Sequence, residues 1–268
     1  VYVAPREISN TSSTYNHKTY EYTHGYGTII TSVTSTDKTG NIEYLQKDFN
    51  SNEVVTISQP RIYFGLETNY TAVTNSNKVE FDYPITSSTK AENAENAYDG
   101  QAGLSLNFFD RLILAIKEND LQLAFSNKVN SESKILINRN IIKRAKTLMP
   151  YVSYDENPYL VTTNEGKLVW VIDGYTISEC YPYSQKLTLE DGIINKKQIN
   201  YIRNSVKVLV DAYDGTVKFY ITDRNDPIIM AYQKMYKDLF VDKDETIPED
   251  ISKQFIYPEY LYKIQAEI

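Results

Sequence analysis

The sequence predicts an α+β fold, built from antiparallel sheets and hairpins with about four helices. Three observations lead there. Runs of alternating apolar and polar residues come in adjacent pairs, which is the mark of hairpins and not of strand–helix–strand units. Apolar spacing of three and four residues begins only near residue 105. Thr, Ser, Asn and Tyr dominate residues 1–60, and among these the β-branched and aromatic residues fit strands.

The elements follow in order. Residues 27–35 (GTIITSVTS) read as a β-branched strand, and 54–57 as a second short apolar run. Residues 61–67 (RIYFGLE) and 70–74 (YTAVT) read as two further strands. The small, polar stretch 86–96 (TSSTKAENAEN) reads as a surface loop or linker. Leu106, Phe109, Leu112, Ile113 and Ile116 share one helical face, with Ser105 placed to cap the helix. A second helix is expected after Asn140, using Ile141, Ala145, Leu148 and Met149 and stopping at Pro150. Residues 159–163 and 168–172 flank a turn at Asn164–Lys167. Val206, Val208 and Val210 alternate before Asp214-Gly215, and Val217, Phe219 and Ile221 after it, a strong hairpin signal. Asp226 and Pro227 are placed as cap and first residue of a third helix carrying Ile229, Tyr232, Tyr236 and Leu239. A last helix is expected near Pro258, with Leu261, Ile264 and Ile268 aligned. The composition divides the chain into a β-rich part, 1–95, and an α+β part with two hairpins, 96–268; one continuous domain fits as well.

Charge and composition exclude several classes. The net charge is −7 and no basic run occurs, so nucleic acid is not an expected partner. Cys180 is the single cysteine, which rules out an internal disulfide and a four-thiolate zinc site. No stretch reaches the roughly 18 apolar residues of a membrane span. The 24 Tyr against one Trp suit either exposed binding faces or plain strand formation.

Chemistry has few footholds. Neither phosphate-loop pattern occurs, so no cofactor is expected, and the Gly-x-Ser-x-Gly elbow is missing. His17 and His24 are the only histidines, and their spacing fits no local zinc motif, leaving the metal content open. Asp173, Asp211, Asp214, Asp223 and Asp226 offer carboxylates for calcium, although turn and cap already account for Asp214 and Asp226. Glu67, Glu80 and Asp82 lie near Tyr-rich strands, where a glycosidase would need two facing acids. The expected ligand-binding region is His17, His24, Tyr26 and Arg61: its glycines allow close backbone approach, and Arg61 can meet an anion. A well-ordered turn packed on the first sheet is the plainer reading of the same segment.

An ordered set of strings carries a resemblance: 22–27 (YTHGYG), 59–65 (QPRIYFG), 80–84 (EFDYP), 132–139 (ESKILINR), 173–176 (DGYT), 181–184 (YPYS), 200–207 (NYIRNSVK) and 210–217 (VDAYDGTV). With Asp226-Pro227 and Tyr257-Pro258, they resemble the uncharacterised protein family UPF0182 from about Arg6 to the end. Tyr15, Leu66 and Phe255 depart from the family pattern, which has Trp, Glu and His there. The resemblance implies a large bacterial membrane protein with several N-terminal transmembrane helices followed by a large extracytoplasmic region, of which this chain is the first part. It implies no catalytic residues. The expectation is an extracytoplasmic domain with a binding, scaffold or gating role. Its partners would be the membrane-embedded part of the same polypeptide and an unknown small molecule or envelope polymer, with an oligomer possible. The alternatives are a cell-envelope enzyme, hydrolase or transferase on polysaccharide, and a calcium-stabilised assembly module.

Overall fold

The computed structural model describes residues 1–9, 13–47, 56–86, 91–105, 107–188 and 198–267. The chain divides into two units, one of Val1–Val54, Pro60–Asn140 and Tyr213–Gly215, the other of Val55–Gln59, Ile141–Ala212 and Thr216–Ile268.

The first unit runs through β1 (Tyr2–Pro5), a π-helical turn (His17–Glu21), β2 (Gly25–Tyr26), β3 (Thr28–Thr36), β4 (Ile42–Gln46), β5 (Arg61–Ile62), β6 (Ala72–Thr74), β7 (Glu80–Thr86), β8 (Ala91–Asn96), α1 (Phe108–Lys117), α2 (Leu121–Phe125) and β9 (Lys134–Leu136). The β-branched run predicted at 27–35 forms β3, the centre of a sheet ordered β1-β3-β4. The remaining strands pair off antiparallel as β2 with β5, β6 with β9 and β7 with β8. Tyr20, Val73, Leu114, Leu123 and Ile135 meet in the core of this unit.

Several expectations are corrected here. The stretch 86–96 is not all loop: residues 91–96 form β8 and pair with β7, although 87–90 lie outside the described residues. Backbone pairing holds this strand where side-chain propensity does not favour one. Residues 61–67 are extended only through Ile62; the chain then bends, and the amides of Leu66 and Glu67 bond the Glu7 carboxylate. The strand expected at 70–74 starts at Ala72. Of the run 54–57, the first two residues lie outside the described residues, and Ile57 is buried without belonging to a strand.

Helix α1 is capped by Asn107, not Ser105: the Asn107 Oδ1 accepts from the Asp110 amide at 3.0 Å. The apolar face read from the spacing is divided: Leu112 packs against the core. Leu114 and Ala115 face the core, whereas Phe109, Ile113 and Ile116 are exposed. Apolar residues surround this helix, so spacing alone does not choose the inward face; Leu106 lies outside the described residues.

The second unit runs through α3 (Ile141–Leu148), β10 (Ser153–Tyr154), β11 (Tyr159–Thr162), β12 (Leu168–Ser178), β13 (Leu187–Thr188), β14 (Gln198–Ile199), β15 (Tyr201–Asp211), β16 (Val217–Ile221), α4 (Pro227–Met235), α5 (Glu249–Ser252) and α6 (Glu259–Glu267). Both predicted hairpins form: β11 pairs antiparallel with β12, and β15 with β16. Gly166 and Gly215 supply the positive φ their turns require. β12 is central and buried from Leu168 to Thr176, between β15 on one side and β10 and β11 on the other. Among the described residues, four helices reach seven residues, α1, α3, α4 and α6.

Asp226 organises the start of α4. It caps the helix as predicted, accepting from the Ile228 amide at 2.9 Å, with Pro227 in the first turn. Its carboxylate also accepts from the hydroxyls of Thr176, Ser205 and Tyr201. Burial pushes its pKa up, but these donors outweigh burial and hold it below the usual carboxylate range. Asp226→Ala removes a cap and strands three hydroxyls. It is expected to cost about 3 kcal/mol in urea unfolding at neutral pH. The native protein should also lose the contribution of this group as pH falls through its lowered folded-state pKa, and the variant should not.

Candidate functional site

The first unit is organised around His24, between β2 and β7. Gly25 and Tyr26 pair with Ile62 and Arg61, which sets β2 against β5. A Cβ on Gly25 would sit 2.1 Å from the Arg6 carbonyl oxygen, so glycine is required for the approach of chain to chain. The tight approach expected of the local glycines is thus made here by Arg6. Glu80 and Asp82 stand two residues apart on β7, and both are buried, as are Thr23 and His24.

The hydrogen bonds form one chain. His24 Nε2 lies 3.0 Å from Asp82 Oδ1, and His24 Nδ1 lies 2.9 Å from Thr23 Oγ1. Thr23 has a single hydroxyl proton, which it donates to Glu80 Oε2. It therefore accepts from Nδ1, while the Asp82 carboxylate can only accept from Nε2. Arg61 closes the chain with a two-pronged contact on Asp82, Nε to Oδ1 at 2.9 Å and Nη2 to Oδ2 at 2.7 Å. Glu80 also accepts from Tyr63 OH at 2.7 Å and from the Asn75 amide at 3.2 Å. Arg61 and the His24 ring thus converge on Asp82, and Thr23 and Tyr63 on Glu80.

Burial raises the Asp82 pKa, but bonds from His24 and Arg61 hold it below the usual carboxylate range. Burial lowers and Asp82 raises the Arg61 pKa, with a net rise. The Tyr63 phenol is pushed up well above its ordinary value by burial and by the neighbouring Glu80.

Aromatic rings wall the cluster. Tyr63 lies against the His24 ring at 4.5 Å and against Tyr98 at 4.6 Å, and Tyr213 of the same unit touches both tyrosines. Behind them Arg139 is fully buried and donates to the backbone carbonyls of Thr23, Tyr63 and Tyr70. Burial lowers its pKa. A cleft of about 380 Å³ opens beside Glu80, lined among others by Asn75, Asn77, Lys78, Glu95 and Asn96.

Of the four residues expected to bind a ligand, three come together. His24 and Arg61 meet on Asp82, and Tyr26 lies under the Arg61 guanidinium, 5.7 Å from it, with Tyr83 at its side. His17 stands apart on the π-helical turn, half-exposed, with Glu21 at 3.5 Å. Among the described residues no three His, Cys, Asp or Glu side chains are grouped to hold a metal ion. The acidic residues weighed for calcium have separate partners: Asp173 pairs with Lys207, Asp223 with Arg203, and Asp226 with its hydroxyls.

Sequence reading missed Thr23, Tyr63 and Arg139, and it weighed Glu80 and Asp82 without bringing them to His24. The one local signal was the Glu-Phe-Asp spacing, which puts both acids on one side of a strand.

The model of a family described as uncharacterised protein family (UPF0182) matches residues 1–268. A UPF0182 protein of Caldicellulosiruptor saccharolyticus is 42% identical over 274 residues, covering 100% of this chain and 29% of the relative. Proteins of the same description from Clostridium tetani and Clostridium acetobutylicum are also 42% identical, with the same shares covered. The chain therefore spans 29% of the length of these curated relatives. No solved structure matches it.

His24→Ala leaves the buried Asp82 short of a donor and is expected to cost about 3 kcal/mol in chemical unfolding. His17→Ala should stay within about 0.5 kcal/mol of the native protein. The folded-state pKa of Asp82 lies below its unfolded value. Its contribution is therefore complete above the ordinary carboxylate range and disappears as pH falls through the lowered value. Unfolding series between neutral and acid pH should show a shallower acid loss in Asp82→Asn than in the native protein.

Proposed function

We propose that this chain, which belongs to the uncharacterised protein family UPF0182, is an extracytoplasmic binding or scaffold domain of a multi-pass membrane protein, with no turnover of its own. It would work for the membrane-embedded remainder of the same polypeptide, in support or in gating. The observation that carries the non-catalytic part is the engagement of the His24 cluster. Thr23, His24, Glu80 and Asp82 are all buried and bonded to one another, to Arg61 and to Tyr63. A general acid or base needs a proton within reach of a substrate, and groups held this way serve as a frame. The extracytoplasmic placement rests on the family pattern. No helix among the described residues is long and apolar enough to cross a membrane; on this reading the spans belong to the remainder. A small polar ligand would sit in the cleft beside Glu80.

The envelope-enzyme reading has one observation in its favour, the approach of two carboxylates, Glu80 and Asp82, to one imidazole. Cys180 is free and exposed, which gives a direct test. In intact cells making the full-length protein, a membrane-impermeant maleimide should label this site, and Cys180→Ser should abolish that labelling. Labelling only after lysis would contradict the placement. Hydrolysis of purified wall polymer by the native protein but not by Glu80→Gln would support the enzyme instead.

A further inference from the structure

Helices α1 and α2 turn an apolar face to solvent. Phe108, Phe109, Ile113, Ile116, Leu121 and Phe125 are between 49% and 74% exposed. They form a continuous patch, with the Phe108 ring 5.8 Å from Phe109 and 6.5 Å from Phe125. At these exposures the six side chains present roughly 700 Å² of apolar surface, given about 200 Å² for a phenylalanine. That is more than the largest patch of an ordinary monomer, which runs to about 600 Å² at most. It is close to the roughly 800 Å² that one partner contributes to a standard protein interface.

The pattern along α1 says what covers it. Phe109, Ile113 and Ile116 follow a four-then-three spacing and point straight out, opposite the buried Leu114. Asp110 and Lys117 are both exposed and lie on the same flank of that seam, seven residues apart. Two antiparallel copies of such a helix bring like flanks together. A two-fold axis midway between the two charges falls beside Ile113. It sets Asp110 of each copy against Lys117 of the other, with Ile113 near its own equivalent and Phe109 near Ile116. Parallel packing gains neither charge pair. Although the chain carries a net charge of −7, Asp110 and Lys117, the two charges that flank this seam, sum to zero, so two copies meet there without local repulsion.

We propose that α1 is the contact of a two-fold dimer, and that the partner seated on this face is a second copy of the chain. The inference is independent of where the domain is located. The test is disulfide trapping in the full-length protein, with Cys180→Ser and any other cysteine replaced. All positions substituted are exposed, and only Asp110→Lys touches a hydrogen bond within the helix, the one from Asn107 Nδ2 at its start. Ile113→Cys should oxidise to a covalent dimer. Phe109→Cys should not join to itself, but should join to Ile116→Cys when the two variants are mixed. Adding Asp110→Lys or Lys117→Asp to Ile113→Cys should lower the dimer yield roughly tenfold, and both changes together should restore it. The proposal is overturned if Ile113→Cys remains monomeric or is trapped on another protein. It is equally overturned if Phe109→Cys joins to itself as readily, or if the charge reversal fails to rescue.

Discussion

The buried Asp82 carboxylate is the constraint on which the first unit depends. An ion taken from water costs several kcal/mol unless charge and hydrogen bonds replace the lost solvent. Its replacements come from distant points of the chain, His24 from the start of β2 and Arg61 from β5. Satisfying one carboxylate therefore fixes three strands at once. The same logic extends one layer outward. Glu80, on the same strand, holds Thr23 and Tyr63, and Arg139 ties the carbonyls of Thr23, Tyr63 and Tyr70 behind them. The short strands β2 and β5 hold two residues each, too few to define a sheet alone. The cluster gives them the fixed position that their backbone pairing does not.

The second unit meets the same problem with different chemistry. Asp226 is buried without an ion pair, and three hydroxyls and a helix-terminal amide replace its water. Here long strands supply the donors: Thr176 lies on β12, and Tyr201 and Ser205 lie on β15. The sheet would hold without the carboxylate, and what Asp226 fixes is where α4 begins. In one unit a charge cluster sets the strands; in the other the strands come first and position the charge.

This difference explains what could be read from the sequence. The hairpins β11–β12 and β15–β16 and the Asp226-Pro227 helix start were legible because their signals are local, alternation across a turn and a cap beside a proline. The His24 cluster was not, because its members lie up to 58 residues apart and nothing near His24 announces Asp82. β8 was hidden by composition, since Ala, Glu and Asn alternate without strand preference. The inward face of α1 was not legible because Phe, Leu and Ile surround the helix, and burial follows contacts with Tyr20 and Leu123 that no spacing encodes. The excess of tyrosine has a partial account: the rings of Tyr63, Tyr98 and Tyr213 touch one another at tilted or edge-on angles beside the cluster, and the hydroxyls of Tyr63 and Tyr213 reach Glu80 and Asp99.

The central claim is that Asp82 and Arg61 act as a coupled pair whose mutual satisfaction holds the first unit together. A double-mutant cycle between Arg61→Gln and Asp82→Asn, read by chemical unfolding at neutral pH, tests it most directly. The account predicts a coupling above about 1 kcal/mol, with the double variant more stable than the sum of the single losses implies. Losses that add to within a few tenths of a kcal/mol would contradict it, and would leave β2, β5 and β7 held by packing alone.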